Sequence, residues 1–95
     1  MKIVLNKEYG GFSLSKKACV LLNCGTYDYT DDVLEKRADS KLIEVVEKLG
    51  DDANNKPFAR LVIVEVPDDF TDYGFDSYDG VERFRYVLDG KMYEV

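Results

Sequence analysis

Apolar positions along the chain fall into three kinds of spacing, and each predicts a different element. Ile3, Val4 and Leu5 form a short continuous run, so Lys2 to Asn6 is expected as a strand covered on both faces. Leu42, Val45, Val46 and Leu49 stand at i, i+3, i+4 and i+7, with Ile43 widening the stripe. That period predicts a helix over Ser40 to Leu49, capped by Asp39 and ended by Gly50. Leu61, Val62, Ile63, Val64 and Val66 are nearly continuous, so Ala59 to Val66 is expected as a central strand, stopped by Pro67.

Weaker signals fill the remainder. Ala18, Cys19, Leu21 and Leu22 suit a helix of about two turns from Lys16, with Ser15 or Ser13 as its N-cap and Gly25 as its left-handed end. Residues 26–38 read as a loop holding a short ordered segment at Val33–Glu35. Asp79-Gly80 and Asp89-Gly90 are turn dipeptides of the kind that join hairpin strands. Around the first of them Tyr73 and Phe75, then Phe84 and Tyr86, alternate with polar or small residues, giving one buried and one wet face. The expected fold is α+β. It is a single small domain spanning residues 1–95, with a mainly antiparallel sheet of four to five strands and two helices on one face.

Charge narrows the partners. Residues 1–25 carry a balance of +3, residues 26–80 a balance of −9, and the last fifteen are neutral, for a net −6. Such a surface repels phosphate backbones, so no direct nucleic-acid binding is expected. The first apolar run is too short for a signal-peptide core, and no run approaches a membrane span, which leads to the expectation of a cytoplasmic chain without membrane association.

Catalytic chemistry has few candidates. The chain has no histidine, which rules out Ser-His-Asp and Cys-His catalysis. Cys19 and Cys24 lack the two further ligands of a zinc site and are expected as ordinary reduced thiols. The adjacent pairs Asp31-Asp32, Asp51-Asp52 and Asp68-Asp69 point apart on a loop, and Asp28–Asp32 lacks the spacing of a calcium loop. No enzyme activity, metal or cofactor is therefore expected. Gly10-Gly11 reads first as a tight strand-to-helix turn; the alternative is an anion or ligand site with Ser15, of use to a protein that binds or sequesters a nucleotide signal.

Pro67 to Gly80 stands apart, with five aspartates, four aromatics and no lysine or arginine in fourteen residues. One reading is a solvated loop and edge strand whose acids discourage pairing with other chains. The other is a partner surface made of Asp68, Asp69, Asp72, Tyr73, Asp76, Tyr78 and Asp79, in which carboxylates imitate phosphates and rings anchor the contact.

Met-Lys-Ile-Val-Leu-Asn at the start, Gly10-Gly11-Phe12 with Leu14-Ser15, and Arg37-x-Asp39-x-Lys41 through Gly50 resemble a family of small uncharacterised bacteriophage and prophage proteins. Ala59 to Asp69 and Tyr78-Asp79-Gly80-x-Glu82 fit the same pattern, while residues 26–32 and the tail after Glu82 depart from it. The resemblance carries no catalytic residue. It implies a mobile-element origin and action inside a bacterial host. Together with the acidic stretch, it leads to the expectation of a non-enzymatic inhibitor of a host protein such as a nuclease or immune effector.

Overall fold

The computed structural model describes residues 1–95. It contains strands β1 (Lys2–Asn6), β2 (Leu61–Glu65), β3 (Asp72–Tyr78), β4 (Val81–Leu88) and β5 (Lys91–Glu94). The helices are α1 (Lys16–Leu22), α2 (Leu34–Arg37) and α3 (Ser40–Leu49), followed by a 3-10 turn at Gly50–Ala53. The α+β class and antiparallel pairing follow the sequence. The five strands, however, divide between two sheets: β1 with β2, and β3-β4-β5.

The outcome is three layers, because β1 is buried on both faces. Val4 points into one core with Phe12, Leu14, Ala18, Leu42, Val45, Val46 and Leu61, under the helices. Ile3 and Leu5 point the other way, into a core with Val66, Phe84 and Tyr86. The strand predicted as central, β2, is only partly buried beyond Leu61, since β1 is its sole partner. Its continuous apolar run reflects the two layers above and below it, not a place in mid-sheet.

Local chemistry explains most boundaries. The Ser15 hydroxyl accepts from Ala18 N–H and the Asp39 carboxylate from Lys41 N–H, capping α1 and α3. Gly50 is the C-cap of α3. The expected left-handed end at Gly25 falls two residues earlier, on Asn23 at φ 52° and ψ 51°, where the side chain tolerates that conformation. Instead the Gly25 N–H donates to Asp28 Oδ2 at 2.8 Å. The ordered segment foreseen at Val33–Glu35 is the start of α2.

The 26–38 segment is anchored by a feature that hydrophobic spacing did not disclose. Arg37 is fully buried and spends all five of its N–H donors. Nε donates to Tyr29 O, Nη1 to Val4 O and Glu82 Oε1, and Nη2 to Thr30 O and Glu82 Oε2. Its guanidinium lies 4.0 Å from the centre of the Phe12 ring. Glu82 Oε1 also accepts the Asn6 N–H at 2.8 Å.

Val4 C=O and Asn6 N–H both leave β1 on the side away from β2, since Met1 and Lys7 pair toward β2 with Val66 and Arg60. In a parallel ladder one residue donates to the carbonyl before its opposite number and accepts from the N–H after it. Arg37 and Glu82 together make those two bonds around Leu5. The ion pair thus occupies the place of one residue of a missing third strand.

Candidate functional site at strand β3 and its turns

Strand β3 is an edge, paired only with β4. The turn that joins them is Asp79-Gly80, with φ values of 51° and 88°, the two left-handed residues a two-residue hairpin needs. Its packing requires glycine for a second reason. A Cβ on Gly80 would fall 2.3 Å from Gly11 N, and one on Gly10 would fall 2.7 Å from Phe58 O. Asp79 O accepts from Gly10 N–H at 3.2 Å. Gly10-Gly11 therefore serves as a seat for the hairpin turn.

Ser15 lies elsewhere. Its hydroxyl donates to Asp52 O, and its N–H donates to Ala53 O, beneath the 3-10 turn. Gly10, Gly11 and Ser15 are thus committed to separate internal contacts and are not brought together as a cradle.

The residues of the acidic stretch are distributed by the strand's period of two. Asp72, Asp76 and Tyr78 project on the outer face, while Tyr73 and Phe75 lie on the inner face opposite Tyr86 and Phe84. Phe75 and Phe84 meet edge to face at 5.0 Å, and Tyr73 stacks on Phe84 at 5.7 Å. The aromatics and carboxylates expected on one surface are therefore separated by the sheet, apart from Tyr78, which is 76% exposed beside the acids, and Tyr73, a residue 47% exposed at the strand margin.

The carboxylates differ in how their charge is used. Asp68 pairs with the Met1 amino group at 2.7 Å, and Asp76 pairs with Arg85 Nε at 2.5 Å. Arg85 crosses over Gly74 to reach it, leaving a hypothetical Cβ there only 3.0 Å from its Nη2. The pair holds the Arg85 guanidinium above its ordinary pKa, through its hydrogen bond to Asp76. Asp69, Asp72 and Asp79 make no ion pair. Asp72 Oδ1 accepts the Tyr73 N–H at 2.9 Å.

Two exposed rings near the turn were not anticipated. Tyr9 precedes the Gly10 seat, and Phe58 backs directly onto it. Phe58 has no pattern in sequence that would place it there, because the contact joins segments nearly fifty residues apart. Concavities on the molecule are shallow and open, including one on the outer face lined by Asp76, Tyr78, Val81 and Arg83.

On the opposite side, Tyr29 Oη donates to Asp39 Oδ2 at 2.7 Å, which pushes the phenol up to about 12. Burial, with a contribution from the neighbouring Cys19, raises the Cys24 thiol to about 11. Neither cysteine is bonded to the other. No helix is long and apolar enough to cross a membrane. No protein-family model, curated protein or solved structure matches this chain.

Proposed function

We propose that this chain is a non-catalytic protein-binding domain of phage or prophage type, engaging a basic surface on a host protein of the defence or nucleic-acid-processing class. The observation that carries this reading is the set of unpaired carboxylates along an open edge: Asp69 before β3, Asp72 at its start and Asp79 in its turn next to the exposed Tyr78, on a strand with no neighbour on its outer side. Carboxylates without an internal partner attract a cationic surface at long range, and an exposed tyrosine supplies contact area at low entropic cost.

The test separates structural acids from free ones. Changing Asp69, Asp72 and Asp79 together to Asn removes three charges and leaves the Asp68 and Asp76 pairs in place. Asn retains an acceptor for Tyr73 N–H and tolerates the left-handed conformation at position 79. The variant is expected to fold normally and to lose affinity capture of its partner from host lysate. Capture of the same proteins by the variant would refute the reading.

A further inference from the structure

Strand β3 presents bare main chain as well as charge. Phe84 exchanges both of its main-chain hydrogen bonds with Val95, on the β5 side. Residues opposite Phe84 across the β3–β4 ladder therefore have no main-chain bond to β4, and that residue is Phe75. The same alternation turns the main chain of Tyr73 and Ser77 outward.

Of these groups, the Tyr73 N–H is taken by Asp72. The N–H and C=O of Phe75 and Ser77 and the C=O of Tyr73 have no partner in the protein. The contrast with the other margins is informative. The free side of β1 is closed by Arg37 and Glu82, Leu61 N–H on β2 is taken by Asn54 Oδ1, and β5 has only four residues. At seven residues, β3 is the longest open edge.

We propose that β3 accepts an extended basic segment of a partner protein as an added strand, with main-chain bonds at Phe75 and Ser77. This rests on the protein-binding reading above and gives it a geometry. The occupant is set by charge. No lysine or arginine lies between Arg60 and Arg83; Asp76 is held by Arg85, but Asp72 at the start of β3, Asp69 before it and Asp79 after it make no ion pair, so a strand laid along β3 meets uncompensated negative charge. Its residues on the face of Asp72 are lysine or arginine. Its alternate residues meet the margins of Tyr73 and Phe75 and are apolar. A second copy of β3 is disfavoured, because pairing two such edges brings two sets of unpaired aspartates together.

The experiment uses a synthetic peptide of alternating lysine and valine, titrated into the full chain and read by fluorescence anisotropy. A matched peptide, N-methylated on alternate residues, keeps the charge and removes the pairing donors. Ser77→Pro blocks the edge without touching the β4 ladder, because the Ser77 N–H points outward.

Strand addition predicts that N-methylation and Ser77→Pro each weaken binding at least about tenfold, the scale of one or two lost main-chain hydrogen bonds. It also predicts that the Phe75 and Ser77 amides gain protection from hydrogen exchange when the unmodified peptide is bound. If the methylated peptide binds equally well, or those amides gain no protection, strand addition is wrong. The general reading then still stands or falls on the Asp69, Asp72 and Asp79 variant. Dimerisation of the chain alone that Ser77→Pro abolishes would equally overturn a basic partner as the occupant.

Discussion

Arg37 illustrates how much a single buried side chain can decide. Its five donors meet five acceptors drawn from the 29–30 loop, β1 and β4, and Glu82 shares the pair with the β1 main chain. Removing one partner strands a charge in a dry site, a loss of about 3–5 kcal/mol, which is a large part of a small domain's stability. Glu82→Gln and Arg37→Met are each expected to lose unfolding free energy of that order, read from the fall in urea midpoint at unchanged m-value. Replacing both with apolar residues recovers part of the loss, although Val4 C=O and Asn6 N–H then lose their partners. Two titrating groups give further checks. Tyr29 is held neutral by Asp39, with its folded pKa near 12 against an ordinary 10. The native state therefore binds the extra proton between those values, so stability is full below about pH 10 and falls as pH rises toward about 12. Tyr29→Phe should flatten that part of a denaturation-versus-pH profile. Cys24, raised to about 11, carries little thiolate at neutral pH, and its alkylation by iodoacetamide is expected to lag a free-thiol standard about tenfold or more.

At the scale of elements, β1, α1, α3, β4 and the two Asp-Gly turns were legible because each depends on local spacing or a local cap. Two features were not. The placement of β2 in a two-stranded ribbon depends on which layers cover it, and a run of apolar residues carries no record of that. The Gly10–Gly80 contact depends on a meeting of distant segments. Its energetic signature is specific: Gly80 and Gly90 both have positive φ, yet a Cβ on Gly90 meets nothing while one on Gly80 meets the Gly11 main chain. Gly90→Ala is expected to cost about 1 kcal/mol from conformation alone. Gly80→Ala should cost clearly more, measured as the shift in denaturant midpoint, because main chain cannot rotate away. A partial signal for the Arg37 pair did exist in the sequence. Glu82 shares the register of Phe84 and Tyr86, so a carboxylate was destined for the buried face and required a donor.

For the whole molecule, the acidic stretch proved to be two surfaces back to back. Sequence alone grouped Tyr73 and Asp72 on one surface, whereas period two sends them to opposite sides of one strand. It also could not tell structural acids from free ones, because the partners of Asp68 and Asp76 are distant in the chain. Partner binding driven by the three unpaired carboxylates should weaken steeply with ionic strength in the wild type. The Asp69, Asp72 and Asp79 variant should show a flatter salt response at unchanged thermal stability. The ion pair that stands in for a strand beside Leu5 has a different consequence, one of timing. β1 emerges from the ribosome well before Glu82, so during synthesis its outer margin stays open until the β4 codons have been read. A chain stalled or truncated at Gly80 is expected to aggregate rather than wait as a folded intermediate, and a sedimentation assay on that fragment would show it.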